Sequence, residues 1–205
     1  MKRSIFVLEG TGAKPTECVM RVSKEVAVYA KSRNGQVVVK DMHHGLVPSH
    51  FSGFLADWSA STTHARLETV ATTDAFASAW ARKRRVIFPL DCYYGKASLA
   101  QDHTGGKVKS ERVAIRRADD KPMGVAGIYD YAHLADGRLL SAAMLTRPAG
   151  KRMLGIHDRE PVILEPDDWQ AWLDGIDTLN LATPWADDAF LVVSAPPIQA
   201  RRRTG

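Results

Sequence analysis

Cysteine is nearly absent: Cys18 and Cys92 are the only two in 205 residues, with no CxxC pair and no zinc-like spacing. A disulfide framework is therefore not expected, which suits a reducing compartment, and a cysteine-built metal centre is excluded. Long apolar runs are missing as well. The longest, such as Val86-Ile87-Phe88-Pro89-Leu90 and Leu191-Val192-Val193, are strand-sized, well short of the roughly 20 residues a membrane helix takes. The opening MKRSIFVLEG has two positive charges but only four apolar residues before Glu9, too few for a secretory leader. The expectation is a cytoplasmic protein without membrane contact. Repeats, low-complexity tracts and linkers are lacking too, so residues 1–200 are expected to form one domain. The basic tail Arg201-Arg202-Arg203-Thr204-Gly205 is expected to be disordered.

What is present describes a soluble globular chain. At 45% hydrophobic and 25% charged residues, it can bury a core that folds without staples. The net charge of +5 points to an acidic partner, nucleic acid first, although a solvated positive face accounts for the charge equally well. No cofactor and no obligate protein partner is indicated.

Strand patterns dominate. Glu25 to Ala30 and Gln36 to Lys40 flank Arg33-Asn34-Gly35 as a hairpin. Arg85 to Tyr94, Arg112 to Arg117, Gly124 to Tyr131 and Leu139 to Leu145 read as further strands. Thr73-Asp74 caps a helix over Ala75 to Lys83, with Phe76, Ala79 and Trp80 on one face. Pro166 opens a second helix, with Asp167 and Asp168 in its first turn and a Trp169, Trp172 and Leu173 stripe that reads as core. The expected class is α+β, with antiparallel sheets forming a barrel-like core and helices packed outside.

Four segments, in order between residues 40 and 175, resemble the SOS response-associated peptidase family. His44-Gly45-Leu46-Val47-Pro48-Ser49-His50 is similar to that family's W-G-L-x-P-S-W, and Thr63-His64-Ala65-Arg66-Leu67-Glu68-Thr69 to its N-A-R-x-E-T. Arg84 to Gly95 is similar to R-R-C-x-x-P-x-D-G-F-Y-E, and Gly155 to Leu164 to I-H-x-R-M-P-x-I-L. The resemblance implies binding of single-stranded DNA and reaction with abasic sites. In the family an N-terminal Cys closes a thiazolidine on the sugar aldehyde, beside an Asn, a Glu and a His.

This sequence departs from the pattern where that chemistry sits. Lys2 stands where the resemblance expects Cys, Gly95 where it expects Glu, and His64 where it expects Asn. The implied crosslinking and self-cleavage are thus expected to be weakened or lost. The binding face is better kept. Arg66 and Arg159 are the candidate phosphate contacts, since guanidinium forks grip phosphate oxygens bidentately, with Thr146 alongside. His44 and His50 take the places of two base-stacking aromatics, and imidazole also offers a π face.

Each candidate has a plainer reading. His157 is either a functional group or a buried histidine holding a turn. Arg66 is either a phosphate ligand or paired with Glu68 or Asp91, and Arg159 either a phosphate ligand or paired with Asp158 or Glu160. Strand alternation turns Cys92 away from the face of residue 95, so it reads as a small buried thiol. His43, His44, His50 and His64 lack a ligand spacing, and no metal is expected. Two further functions compete with DNA binding: a hydrolase or lyase using His64 and His157 as acid and base, and an inert structural protein.

Overall fold

The computed structural model describes residues 24–98, 110–176 and 178–195. In β1 (Glu25–Lys31), Val26, Val28 and Ala30 are buried and their neighbours are not, the period-two signature of a strand with one face on a core. β2 (Val37–His44) returns antiparallel, with Glu25 opposite His43 and Lys31 opposite Val37. Gly35, at φ +79°, supplies the left-handed backbone of the expected turn.

The strands that follow are β3 (His64–Arg66), β4 (Arg85–Leu90), β5 (Tyr93–Ser98), β6 (Ser110–Arg117), β7 (Met123–Leu134) and β8 (Gly137–Pro148). The last three are β9 (Arg159–Pro161), β10 (Ile163–Leu164) and β11 (Phe190–Ser194). The helices are α1 (Asp74–Ala81), α2 (Lys151–Leu154) and α3 (Trp169–Leu173). The large sheet runs β10-β7-β4-β1-β2-β8-β3, with β9 also on β8 and a further β7–β8 pairing that returns the order on itself. A small sheet, β11-β6-β5, stands beside it.

The α+β class holds, with two corrections to the expected sheet. It is mixed, because β2 and β3 both pair parallel to β8, and it is ring-closed only in part. The long connection between His44 and His64 lets the chain re-enter beside β8 in its original direction, as parallel pairing requires. The strand expected from Arg85 to Tyr94 is also broken at Asp91-Cys92, where the chain leaves the large sheet for the small one.

Alternation survives the break. Tyr93 joins the main core with Phe88 and Ile115, whereas Cys92 and Tyr94 cluster with Ala114 and Ala195 on the opposite side. Cys92 is disulfide-bonded, which corrects the expectation of a free buried thiol. Cys18, the other cysteine of the sequence, lies outside the described residues, as do Lys2 and the 201–205 tail.

Helices α1 and α3 pack on one face of the large sheet, whereas α2 sends Met153 into the core cluster of Val28 and Phe88. In α1, Phe76 and Ala79 are buried as the stripe predicts, but the Thr73 hydroxyl donates to the Thr69 carbonyl (2.9 Å) and makes no capping bond. The second helix is short: a 3₁₀ turn over Pro166–Asp168 leads into α3. The Trp stripe is core as expected, with the Trp172 indole donating to the Val86 carbonyl at 2.8 Å. Arg85 is buried between Trp80 and Trp172, 3.9 and 4.7 Å from the ring centroids, so its charge meets two π faces. Among the described residues no helix is long and apolar enough to cross a membrane.

Candidate functional site

The second half of β8 organises the candidate residues. His44 pairs with Ala142, His64 with Met144 and Arg66 with Thr146. Past them, β9 brings Arg159 opposite Pro148. Two parallel partners and one antiparallel partner thus deliver residues far apart in sequence to the stretch of one strand from Ala142 to Pro148.

Three histidines gather there. The rings of His44 and His64 meet edge to face with centroids 6.1 Å apart, and His44 lies 6.2 Å from Phe88. Burial, helped by the neighbouring His43, pushes His44 down to about 4. Burial also pushes His64 down to about 3, with His44 and His157 adding to the effect. Both rings are therefore neutral near pH 7. Among the described residues the His44 Nε2 atom is buried without a hydrogen-bond partner. The Thr63 hydroxyl lies 3.0 Å from His64 Nδ1.

His157 is only partly exposed. Its Nδ1 lies 2.9 Å from the Arg159 amide nitrogen and 2.8 Å from an Asp158 carboxylate oxygen. An Nδ1 without a proton accepts the Arg159 N–H, and an Nδ1–H donates to Asp158.

Arg159 is heavily engaged, with four of its five guanidinium N–H groups donating. Its two terminal nitrogens donate to the two Glu68 oxygens at 2.7 and 2.8 Å. Its Nε donates to the Thr146 hydroxyl at 3.1 Å, and Nη2 also donates to the Thr146 carbonyl at 2.6 Å. The partner is Glu68, not the Asp158 or Glu160 that sequence proximity suggested. Glu160 is buried and holds Arg147 instead (2.9 Å). The Arg159 fork lowers the Glu68 carboxyl to about 2.

Arg66 differs from Arg159 in this respect. It is exposed, and among the described residues no ion pair or hydrogen bond engages its guanidinium. Neither Glu68 nor Asp91 forms an ion pair with it, although its charge is near enough to Glu68 to help lower that carboxyl.

The structure does not bring every candidate together. His50 sits apart from the histidine cluster, beside the first turn of α1, where its Nε2 is 3.2 Å from an Asp74 oxygen. Among the described residues no His, Cys, Asp or Glu group has the arrangement of a metal site.

Gly95 has an environment that sequence alone did not reveal. A Cβ built on it would lie 2.2 Å from Ile156 Cγ2 and 3.5 Å from Ile115 Cδ1. Ile156, the residue before His157, therefore fills the space that a longer side chain at position 95 would enter.

The family model described as "SOS response associated peptidase (SRAP)" matches residues 10–194, reaching further toward the N-terminus than the four motifs do. The chain is 28% identical over 160 residues to the abasic site processing protein YMR114C of Saccharomyces cerevisiae, covering 77% of this chain and 39% of that protein. It is 28% identical over 140 residues to the abasic site processing protein YedK of Escherichia coli, covering 65% of this chain and 57% of that one. The chain thus spans well under two thirds of either relative's length. A crystal structure of a Bordetella bronchiseptica protein shares the fold at a TM-score of 0.73 and 25% identity, over 84% of both chains. One from Bacteroides thetaiotaomicron does so at 0.69 and 18% identity, over 84% of this chain and 74% of the other. With its model matched along nearly the whole sequence, this chain belongs to the SOS response associated peptidase family.

Proposed function

We propose that this chain binds single-stranded DNA through the face around Arg66, in the service of abasic-site processing, and that its own covalent chemistry is weakened. The observation that carries the reading is Arg66, an exposed guanidinium outside any ion pair among the described residues, set beside the Arg159–Thr146–Glu68 cluster. Such a group grips phosphate without first releasing an internal partner. Relatives named for abasic-site processing supply the substrate class. His44 lies at the buried side of this face, and His50 reaches a strand only as a separate contact near α1. Arg159 and Thr146 act mainly as the support beneath Arg66.

Weakened chemistry follows from Gly95 and Ile156. The first supplies no proton-transfer group, and the second occupies the space for one.

Titrating a fluorescent oligothymidylate at several salt concentrations tests the binding face. Arg66→Ala should weaken binding and reduce the salt slope by about 0.7, the share of one phosphate contact on a single strand. Equal affinity and slope for wild type and variant would refute the face. Incubation with an abasic oligonucleotide tests the chemistry, because a heat-stable adduct would contradict its loss.

A second reading keeps His64 and His157 as an acid–base pair, because the two are close enough to influence each other electrostatically. His64, pushed down to about 3, is a neutral imidazole near neutral pH, so it cannot act as an imidazolium acid and takes at most the base role, weakly. Turnover of an abasic or peptide substrate that is abolished by His157→Ala would favour this second reading.

A further inference from the structure

The connection between β2 and β3 holds three aromatic residues, Phe51, Phe54 and Trp58, and it is fixed in place. The Phe51 and Trp58 rings pack at 5.1 Å, and the Phe51 ring lies across Gly53, where an added Cβ would meet it at 2.9 Å. The Trp58 indole donates to the Thr62 hydroxyl at 3.3 Å. At the start of the connection, the Ser49 amide donates to the buried Asp130 carboxylate (2.9 Å), which also receives Arg84. In the middle, the Gly53 carbonyl accepts the Ala135 amide at 3.1 Å, tying the connection to the β7–β8 hairpin.

Phe54 is the ring left over. It is 56% exposed and has no ring partner among the described residues, although the backbone beneath it closes a 3₁₀ turn through Asp57 N–H to the Phe54 carbonyl (3.0 Å). A lone exposed ring is ordinary on a protein surface. An exposed ring presented by a turn that two other aromatics hold still is a preorganised stacking face. Exposed Arg138, in register with His133 at the same hairpin end, enters no ion pair among the described residues. The nearby carboxylates are Asp57 and Asp136, so the surface is not a broad positive patch, and any affinity there rests on stacking plus one phosphate.

We propose that this hairpin end is a second single-stranded DNA contact, in which Phe54 stacks on an unpaired base and Arg138 holds a neighbouring phosphate. The inference rests on the binding face proposed around Arg66, and it lengthens that face. From Gly137 to Thr146 along β8 the chain covers about 30 Å at strand rise. A four-nucleotide strand covers about 14 Å at stacked spacing and cannot reach both ends, whereas fifteen nucleotides can.

The test titrates three probes with the full chain: a 15-nucleotide oligothymidylate, a 4-nucleotide one, and a 15-unit abasic spacer strand with the same phosphates and no bases. Phe54→Ala should weaken binding of the long oligothymidylate about tenfold with an unchanged salt slope, and Phe54→Trp should restore it. Arg138→Ala should reduce the salt slope by about 0.7 on both long probes. Phe54→Ala should bind the 4-nucleotide and spacer strands as wild type does. Because Phe54 is exposed, an unchanged melting temperature confirms an intact fold. Phe54→Ala within twofold of wild type on the long oligothymidylate, or rescue by Phe54→Leu as good as by Phe54→Trp, overturns the proposal. In either case an effect of Arg66→Ala leaves the first face standing. Failure of the wild type to bind any strand overturns both.

Discussion

Acid should unfold this protein earlier than its carboxylates alone would dictate, because two histidines are buried without charge. The ordinary value of 6.5 applies to His44 and His64 in the unfolded chain, whereas the fold pushes them to about 4 and about 3. Their folded values lie below the unfolded one, so the unfolded chain binds more protons throughout the window between. The stability they contribute is complete above the unfolded value and is lost as pH falls below it. At pH 5 the unfolded rings are 1.5 units below their midpoint and the folded rings are still almost wholly neutral. Each group therefore removes about 2 kcal/mol between pH 7 and pH 5, or about 4 kcal/mol for the pair. That figure hardly depends on where below 5 the folded values lie. The neighbouring His43, also lowered by burial, acts in the same direction, while Glu68 responds only at lower pH. Urea unfolding at pH 7 and pH 5, with the slope checked for constancy, measures the loss. His44→Gln and His64→Gln should each reduce the pH-dependent part by about 2 kcal/mol, whatever they do to stability at pH 7. Equal stability of the wild type at the two pH values would refute the reasoning, as would variants that keep the full loss.

Glu68→Gln should tighten oligothymidylate binding severalfold, since it weakens the hold on the Arg159 fork and removes a negative charge from the phosphate path; a gel-shift titration checks the direction. Arg85→Met should cost about 1–3 kcal/mol in thermal unfolding, because the guanidinium between Trp80 and Trp172 loses both π faces while volume is roughly kept. Reduction of the protein should lower its melting temperature by removing the disulfide at Cys92, and Cys92→Ser should melt at the reduced protein's temperature.

The fold was readable in the sequence wherever burial alternates on a single strand. The β1–β2 hairpin, the buried face of α1 and the Trp172 stripe all follow from local periodicity and one turn glycine. The parallel pairing of β3 with β8 was not readable, because it depends on where a long connection returns, and no residue spacing encodes that. The break at Asp91-Cys92 escaped for a related reason: both halves are good strand sequence, and only tertiary pairing separates them. At the candidate site, motif order nominated His44, His64, Arg66, Thr146, His157 and Arg159, and the fold sets these six along or beside β8. Which arginine is spent was hidden. Glu68 is 91 residues from Arg159, so only the fold could show that it takes the fork instead of Asp158 or Glu160.

The contact between Gly95 and Ile156 yields the sharpest test of the proposal that the site has little room for a proton-transfer group at position 95. Ile is branched at Cβ, so its Cγ2 cannot swing away without a change of χ1 against the backbone of the following His157. A methyl at position 95 would stand 2.2 Å from that carbon, far inside contact distance, in a strand whose register with β6 fixes Gly95 opposite Val113. Gly95→Ala should therefore destabilise the protein by about 1–3 kcal/mol, the usual cost of an overpacked methylene. Ile156→Ala alone should also destabilise, by opening a cavity beside Ile115. The double variant should be more stable than the two losses added together predict, because the new methyl fills part of the space the old side chain leaves. A coupling of at least about 1 kcal/mol in a double-mutant cycle is expected for groups in direct contact. Additive losses would mean that position 95 and Ile156 do not compete for one space, and would remove this support for weakened chemistry. If the coupling holds, Gly95→Glu in the Ile156→Ala background becomes the variant in which a carboxyl can enter the space of Ile156, the neighbour of His157, and its reaction with an abasic strand can be compared directly with that of the wild type.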